Sequence, residues 1–193
     1  MRILLNGRGG KVGSVLAPAL EQAEAAVDFT RPDAVVGNLE RALAAGVACV
    51  VGTSGWDGER TRVDELAREQ GLPVFYAPNF ALGAALMMRF AAEASRHLPR
   101  AEIVELHHET KLDAPSGTAK ATAAAMDGNP AIHSIRLPGL NAHQEVLLAG
   151  EGQLLTIRHD AFSREAYVPG VLLALEKLPE LAPGLTVGLD SLL

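Results

Sequence analysis

Two histidines and a lysine lie close together near the middle of the chain, as His107, His108 and Lys111. A histidine can donate or accept a proton near neutral pH, and a nearby lysine supplies a cation or a second acid. Adjacent residues of a strand point to opposite faces, so the two histidines should differ in role or meet at an irregular turn. We therefore expect one of them to face a pocket and to transfer a proton there.

A group of small and hydroxyl-bearing residues follows, consisting of Ser116, Gly117 and Thr118 at the start of a helix predicted over Ala119–Met126. Hydroxyl and free N–H groups at a helix start can bind a carboxylate. The sequence thus predicts an anionic substrate held between this helix start and the neighbouring cations. In the alternative interpretation, the hydroxyl groups only cap the helix, which is their commoner use. Zinc is disfavoured because the paired histidines have no matched second pair of ligands.

A glycine-rich turn near the N-terminus is the second candidate site. Gly7, Gly9, Gly10 and Gly13 follow a short apolar strand, precede an apolar helix and satisfy the pattern G-x-G-x-x-G loosely. In such a turn the backbone approaches a pyrophosphate, which then lies against helix N–H groups. Glycine turns also merely connect strands to helices, but the flanking strand and helix favour dinucleotide binding.

Charged residues near this turn have two interpretations each. Arg8 and Lys11 flank the turn, where they could pair with phosphates or form only solvated surface. Asp28 lies about twenty residues past the turn, where a dinucleotide-binding fingerprint has the acid that binds the adenosine ribose. Spacing alone would thus assign Asp28 to NADH, but a carboxylate at a strand end could equally cap the next helix.

Strands alternate with helices through the first part of the chain. The predicted strands are Arg2–Asn6, Ala25–Thr30, Val47–Val51 and Pro73–Tyr76, and the predicted helices are Ser14–Leu20, Pro32–Ala45 and Gly58–Gln70. This alternation predicts the α/β class, with a Rossmann-like, doubly wound parallel sheet.

From Asn79 onwards the pattern changes to that of a mixed α+β domain. A long helix is predicted over Leu82–His97, and strands over Ala101–His108, Glu145–Leu148 and Leu154–His159. The apolar closing helix Gly170–Lys177 could pack on either unit.

Composition limits the classes of function. The 193 residues are 48% hydrophobic and 21% charged, which predicts a folded globular protein. The formal net charge of −6 argues against nucleic acid as a partner and for a small ligand. We expect no signal peptide and no membrane span, and hence a cytoplasmic location. The single cysteine, Cys49, lies in an apolar run and is predicted to be a structural strand residue.

The segment Glu105–Ala119, with the sequence ELHHETKLDAPSGTA, resembles the signature of the dihydrodipicolinate reductase family. Other segments resemble the family in the same order along the chain, namely Gly7–Gly13, Asp28–Thr30, Gly52–Gly55, Ala77–Phe80 and Leu137–Glu145. The resemblance spans nearly the whole chain.

This resemblance implies a nucleotide-binding domain over residues 1–80 plus 171–193, and a substrate-binding and tetramerisation domain over residues 81–170. It implies that His107 donates or accepts a proton, that Lys111 donates one, and that His108, Ser116, Gly117 and Thr118 contact substrate. The implied NADH or NADPH site consists of Gly7, Arg8, Gly9, Gly10, Lys11, Val12, Gly52, Thr53, Ser54, Ala77, Pro78, Asn79 and Phe80.

The implied reaction reduces 4-hydroxy-tetrahydrodipicolinate, a cyclic dicarboxylate, to tetrahydrodipicolinate in the pathway to diaminopimelate and lysine. The implied enzyme is a homotetramer and needs no metal.

The chain departs from the family between the glycine turn and Asp28, where family members have a considerably longer stretch. Asp28 then matches a later strand of the family, so we reject it as the ribose acid. Either the adenosine pocket is open on one side, or Arg8 and Lys11 replace the missing residues. Ser54 also stands where many members have threonine, which keeps the hydroxyl group.

Two other functions compete with the reductase. The shortened domain would suit a non-catalytic dicarboxylate-binding or assembly protein. A different Rossmann-type dehydrogenase would require the signature to be coincidental.

Overall fold

The structure, a computed structural model, describes residues 3–16 and 25–193, and the chain divides into two compact units. The first unit comprises Met1–Phe80 and Arg164–Leu193, and the second comprises Ala81–Ser163. The sequence placed the return to the first domain at residue 171, whereas the first unit takes in residues 164–170 as well. These residues include a 3-10 turn, Arg164–Tyr167, and the start of the helix that follows it.

The first unit is built on a five-stranded, all-parallel sheet. Its strands are β1 (Ile3–Asn6), β2 (Ala25–Asp28), β3 (Cys49–Val51), β4 (Pro73–Tyr76) and β9 (Gly184–Val187), side by side in that order. The strands β2 and β3 are buried along their whole length, as expected where helices cover a parallel sheet. The predicted Rossmann-like fold is confirmed.

Among the described residues of this unit, four α-helices accompany the sheet: α1 (Gly13–Leu16), α2 (Pro32–Ala44), α3 (Arg60–Glu69) and α6 (Val168–Lys177). Pro32 occupies the first turn of α2, where its missing N–H costs nothing. The chain leaves α2 through Gly46, whose φ of +76° suits a glycine. Apolar residues of α2 and α3, such as Leu39 and Val63, pack with Val51 and Val74 of the sheet.

Cys49 lies in β3 and is fully buried. Burial, reinforced by the negative charge of Asp28, raises the pKa of its thiol to about 12. The thiol is therefore protonated at neutral pH, and Cys49 is the structural residue that its apolar run predicts.

The second unit is a four-stranded mixed sheet with two helices. The strands are β5 (Arg100–His107), β6 (Ala131–Arg136), β7 (Ala142–Gly150) and β8 (Gln153–Ala161), in the order β6-β5-β7-β8. β5 runs parallel to β6 and antiparallel to β7. The helices are α4 (Leu82–Ser95) and α5 (Gly117–Ala125), and their apolar residues, such as Met87 and Ala123, pack on Ile103 and Val146 of the sheet.

Most predicted elements are present, and two strands were missed. β6 is an edge strand in which half of the residues are exposed and none is fully buried, so its sequence lacks a clear apolar alternation. β9 is short and pairs with β4, which lies about a hundred residues earlier. Two predicted elements extend beyond the described residues. The strand predicted over Arg2–Asn6 does so at Arg2, and the helix predicted over Ser14–Leu20 does so at residues 17–20. Within the described part of the chain, no helix is both long enough and apolar enough to cross a membrane.

Candidate active site

The glycine turn joins β1 to α1 with very close backbone contacts. Gly10 N donates to Gly7 O at 2.8 Å, and Gly7 has a φ of +83°. A Cβ on Gly13 would lie 2.1 Å from Gly7 O, and one on Gly7 would lie 2.4 Å from Phe29 O. Because backbone atoms cannot yield as a flexible side chain can, these two positions require glycine. At Gly9, by contrast, a Cβ would meet no atom within 4 Å.

A cavity of about 370 Å³ opens beside this turn. Its lining residues come from the turn, from the end of β2 and from the end of β3: Gly10, Lys11, Val12, Phe29, Thr30, Pro32, Gly52, Thr53 and Ser54. The volume lies within the usual range for small-ligand sites. A Cβ on Gly52 would lie 2.1 Å from the Phe29 ring, so glycine there lets the ring pack against the loop.

This cavity fits the phosphate end of a dinucleotide. Its wall is partly backbone, the exposed Lys11 supplies a cation, and the α1 N-terminus lies beside it. The structure brings together six of the residues predicted for the cofactor, namely Gly10, Lys11, Val12, Gly52, Thr53 and Ser54. Gly7, Arg8 and Gly9 belong to the same turn.

The predicted cofactor segment Ala77–Phe80 lies outside the cavity lining. Ala77 and Phe80 are buried, and the Phe80 ring packs 5.5 Å from the ring of Phe29, which does line the cavity. Phe80 therefore packs against a residue of the cavity wall without lining the cavity itself. Phe29, Thr30 and Pro32 line the cavity but were not predicted for the cofactor, although the Asp28–Thr30 segment was already part of the resemblance.

Asp28 holds the cavity loops together. Its Oδ1 accepts hydrogen bonds from Thr30 N (3.0 Å), Thr30 Oγ1 (2.7 Å) and Thr53 Oγ1 (2.8 Å), and its Oδ2 accepts one from Asn38 Nδ2 (2.7 Å). The side chain is 2% exposed. The carboxylate is thus occupied within the fold, which agrees with its rejection as a ribose ligand.

Replacing Asp28 with asparagine is expected to lower the free energy of unfolding by about 1–3 kcal/mol. The NH2 group of the new asparagine would face the donors that now bind the carboxylate. Asn38 cannot readily turn its oxygen towards this NH2 group, because Arg41 Nη2 donates to that oxygen. Urea denaturation measures the loss. Asp33→Asn, at an exposed position paired with Arg31, is the control and should change stability little. Equal stability of the two variants would contradict this account of Asp28.

The second cluster forms at the end of β5 around a buried carboxylate, Glu105. Arg136 Nη1 donates to Glu105 Oε2 at 2.8 Å and Arg136 Nη2 donates to Glu105 Oε1 at 2.7 Å, so the pair is bidentate. His107 Nδ1 makes a short contact with Glu105 Oε2, and Ser116 N donates to Glu105 Oε1 at 3.2 Å. β5 places Glu105 and His107 on one face because they are two residues apart.

Burial would raise the pKa of Glu105, but the hydrogen bonds from Arg136, Ser134 and His107 outweigh it and lower that pKa to about 2. Burial also lowers the pKa of His107, and the charges of Lys111 and Arg136 add to this, while Glu105 opposes it. At neutral pH Glu105 is therefore ionised and His107 is neutral.

The acid stability of the protein should depend on Glu105. Its pKa is 4.5 when unperturbed and about 2 in the fold. A depressed carboxyl pKa contributes stability above the unfolded value, and this contribution, about 3 kcal/mol here, is lost as the pH falls from 4.5 through 2. Guanidinium denaturation between pH 2 and 6 should show a flatter acid loss for Glu105→Gln than for wild type. Glu102→Gln, at an exposed site on the same strand, should behave as wild type.

Lys111 lies in the turn after β5. Lys111 N donates to His108 O at 3.0 Å, and Lys111 Nζ pairs with Asp113 Oδ1 at 2.6 Å. Burial of Asp113 acts to raise its pKa, but Lys111 outweighs this and lowers it. Arg136 Nη2 also donates to Asp113 O at 2.7 Å. Arg136 therefore contacts both the turn that contains Lys111 and the Glu105 carboxylate that binds His107.

The two histidines have different positions, as their adjacency predicts. His107 is the last residue of β5, whereas His108 begins the turn, where its Nδ1 contacts Thr110 Oγ1 at 3.0 Å. His107, Lys111 and Ser116 are thus joined through Glu105, Arg136 and Asp113, while the contacts of His108 are local.

Ser116 is the N-cap of α5. Its Oγ accepts from Ala119 N at 3.2 Å, and the residue is 2% exposed. Its hydroxyl therefore serves the cap that the sequence allowed as an alternative. Gly117 is exposed and Thr118 is half-buried, so these two residues of the helix start are accessible from solvent.

Glu105 and Arg136 were not among the predicted site residues. The spacing of Glu105 two residues before His107 on an alternating strand was a usable signal, since it places both side chains on one face. Arg136 had no comparable signal because β6 was not predicted. In the described residues, no cluster of three His, Cys, Asp or Glu side chains could hold a metal ion.

A Rossmann-like unit with a glycine turn, in one chain with an α+β unit that carries a histidine–lysine cluster, is typical of a nicotinamide-dependent oxidoreductase. The chain belongs to the dihydrodipicolinate reductase family: residues 5–80 match the N-terminal family model, and residues 83–193 match the C-terminal one. The family uses a nicotinamide cofactor.

Curated relatives and a solved structure agree with this assignment. The chain is 47% identical over 211 residues to 4-hydroxy-tetrahydrodipicolinate reductase of Moorella thermoacetica, covering 94% of this chain and 76% of the relative. It is 41% identical over 244 residues to the enzyme of that name from Mycobacterium ulcerans, covering 100% and 99%. The dipicolinate-bound dihydrodipicolinate reductase from Paenisporosarcina sp. TG-14 superposes with a TM-score of 0.88 at 30% identity, covering 100% of this chain and 99% of that one.

The predicted family and its reductase class are therefore confirmed. The alignment with the Mycobacterium ulcerans relative has 244 positions for the 193 residues of this chain, so about 51 positions have no counterpart here. The chain is shorter than that relative, as the resemblance indicated. A non-catalytic protein and a different dehydrogenase are not favoured.

Proposed function

We propose that this reductase converts 4-hydroxy-tetrahydrodipicolinate to tetrahydrodipicolinate and water, using a hydride from NADH or NADPH and one proton, in the cytoplasmic pathway to diaminopimelate and lysine. The proposal is supported chiefly by the cluster at the end of β5. There Glu105 binds a neutral His107, Asp113 binds a cationic Lys111, and Arg136 donates hydrogen bonds to both acidic residues. The relatives named for this reaction and the dipicolinate bound to one of them support a cyclic dicarboxylate as substrate.

The first unit holds the cofactor in this proposal. The backbone of the glycine turn and the cation of Lys11 bind its phosphates, and the loop Gly52–Ser54 forms the opposite wall of the cavity. Asp28 keeps this loop in place through its hydrogen bond from Thr53 Oγ1. When bound, the reduced nicotinamide supplies the hydride.

The second unit supplies protons and binds a carboxylate of the substrate. Lys111 holds an ammonium proton beside Asp113 and donates it to the reduced substrate, which has gained electron density. His107 binds Glu105 through Nδ1, so its Nε2 is the ring nitrogen left for a proton at the substrate. Gly117 and Thr118, at the start of α5, bind one carboxylate with His108 beside them.

Thr118→Ala should weaken dicarboxylate binding by about 10- to 150-fold, since a hydrogen bond to a charged group contributes roughly 1.5–3 kcal/mol. Turnover at saturating substrate should change much less. Calorimetric titration with dipicolinate measures the affinity directly. Thr61→Ala, at an exposed position of α3 in the first unit, is the control. Unchanged dipicolinate affinity in the Thr118 variant would remove this residue from the proposed site.

The shortened nucleotide domain bears on how tightly the cofactor binds. Among the described strands, β1 pairs with β2 alone and is an edge of the sheet. We propose that the adenosine end is open on this side and that Arg8 and Lys11, both exposed, compensate by binding phosphates. This arrangement predicts a cofactor affinity that falls as salt concentration rises.

The proposed assembly is a homotetramer formed through the second unit. The helices cover only one face of its sheet, and residues of the other face, such as Leu154 at 63% exposure, are open in the single chain. Large exposed apolar residues commonly mark an interface. Light scattering after size exclusion should give the mass of four chains, and the mass of one chain would overturn this part of the proposal.

The decisive assay mixes the purified protein with enzymatically generated substrate and follows absorbance separately with NADH and NADPH. Substrate-dependent oxidation of either cofactor would support the proposal and rank the two cofactors. No oxidation by correctly folded protein would overturn it. Dipicolinate binding without cofactor affinity would then favour the dicarboxylate-binding protein.

A further inference from the structure

The Glu105 carboxylate has no exposed surface, yet four donor groups of the second unit meet at it. Both Nη atoms of Arg136, the ring of His107 and the backbone N–H of Ser116 bind its two oxygens. These groups come from β5, β6 and the start of α5. A buried charge is costly unless it is paired and fully hydrogen-bonded, and this carboxylate meets both conditions.

We propose that Glu105, held by Arg136, is the positioning residue of His107: it fixes the imidazole proton on Nδ1 and leaves Nε2 to exchange a proton with the substrate. Glu105 itself touches no reacting atom and acts through the histidine. This role rests on the proposed reductase function. It assigns a purpose to an ion pair that binding of substrate and cofactor does not require.

Arg136 makes this arrangement rigid. Besides its two bonds to Glu105, Nη1 donates to Ile135 O at 2.8 Å and Nη2 donates to Asp113 O at 2.7 Å. The same guanidinium therefore aligns the carboxylate that holds His107 and the loop whose Asp113 side chain holds Lys111. One residue of β6 thus coordinates both groups that transfer protons.

The charges acting on His107 determine the effect of removing Glu105. Glu105 on β5 stabilises the imidazolium, whereas Lys111 in the turn, Arg136 on β6 and burial destabilise it. Asp113 faces Lys111 and Arg136 rather than the imidazole. Without the negative charge of Glu105, the remaining influences all lower the pKa of His107. The part of the kcat/KM–pH profile that reflects ionisation of His107 should therefore move to lower pH.

Glu105→Gln changes the hydrogen bonding at one atom. The glutamine oxygen should stay at the Oε1 position, because Arg136 Nη2 and Ser116 N both donate there. The NH2 group then lies at the Oε2 position, where it loses the hydrogen bond from Arg136 Nη1 and donates to His107 Nδ1, which must become an acceptor. The neutral imidazole is thereby driven from the Nδ1–H to the Nε2–H tautomer.

Nitrogen NMR of histidine-labelled protein at pH 8 tests this directly. The chain has six histidines, and the His107 signals are those missing from His107→Ala. Wild type should show the Nδ1–H tautomer at His107, and Glu105→Gln should shift it to Nε2–H. An Nε2–H tautomer in wild type, or the same tautomer in both proteins, would overturn the positioning role.

Kinetics supply the second readout. Glu105→Gln should lower kcat by about 10- to 100-fold, in line with the effect of removing a residue that orients a functional histidine, and change KM less than about threefold. The pH dependence of its kcat/KM should shift to lower pH. Glu102 pairs with His133 across the same two strands but is exposed, so Glu102→Gln is the matched control and should keep wild-type kinetics. A kcat unchanged in Glu105→Gln would contradict the proposal.

A double variant covers the case in which Glu105→Gln leaves Arg136 as an unpaired buried charge and fails to fold. Glu105→Gln with Arg136→Gln removes both charges and should fold, with a similar loss of kcat. Because Ser116 N still donates at the Oε1 position, the glutamine oxygen should stay there and the Nδ1–H tautomer should again be lost. If the double variant retains wild-type kcat, the proposal fails. Wild type without turnover but with the expected tautomers would overturn the reductase function alone, because the NMR measurement needs no substrate.

Discussion

His107→Ala is expected to lower turnover by about 10²- to 10⁴-fold, the range contributed by a positioned acid or base. In the proposed mechanism, the substitution removes the ring nitrogen that exchanges a proton with the substrate and leaves the proposed anion-binding residues Gly117 and Thr118 in place. Dipicolinate affinity should therefore change only a few-fold. Steady-state kinetics with the preferred cofactor and calorimetric titration with dipicolinate separate the two effects.

The control for this substitution is His97→Ala. The His97 side chain is 76% exposed, and its Nε2 lies 3.9 Å from Glu93 Oε1, a long and weak contact. Its turnover should equal that of wild type. Retention of full turnover by His107→Ala, with the fold verified by its thermal transition, would show that His107 transfers no proton in the rate-limiting chemistry.

Gly13→Ala should weaken cofactor binding, with at least a tenfold rise in the Kd for NADH and NADPH. A Cβ at this position would lie 2.1 Å from Gly7 O and 2.7 Å from Gly7 C. Both atoms are backbone, so the turn itself must open, and the N–H groups at the start of α1 then lose their alignment towards a phosphate. Quenching of protein fluorescence by the reduced cofactor measures the affinity.

Two other glycines distinguish this steric effect from a general loss of stability. Gly58→Ala places its Cβ in open space away from the turn and should bind cofactor normally. Gly9→Ala also places its Cβ in open space, but within the turn, so it should fold normally and bind cofactor weakly if a phosphate lies there. Normal cofactor affinity in Gly13→Ala would refute the role of the turn.

Local patterns in the sequence predicted most of the fold, because strand and helix periodicity are properties of neighbouring residues. Pro73–Tyr76 was predicted with the observed bounds, and Pro32 and Gly46 correctly marked the limits of α2. β6 and β9 were missed because their stability comes from pairing with strands that are distant in sequence. A short or exposed strand has little internal signal of its own.

The candidate site shows the same division. The residue types and spacing of His107, Lys111 and Thr118 led to a prediction of proton transfer and anion binding, which stays a prediction. The long signature around them predicted the family, which is confirmed. For Ser116, the sequence left capping and substrate binding open. The structure shows a cap, because burial beside Ala119 N leaves the hydroxyl facing its own helix.

The sequence by itself thus determined the family, the glycine turn and the order of the elements, since these depend on residue type and local spacing. Only the tertiary structure decided what Asp28 and Glu105 do. Both carboxylates are buried, and their partners Thr53 and Arg136 lie 25 and 31 residues further along the chain. Parallel pairing of β2 with β3 and of β5 with β6 brings each pair together. A buried charge must find its donors wherever the fold places them, and no local pattern encodes that distance.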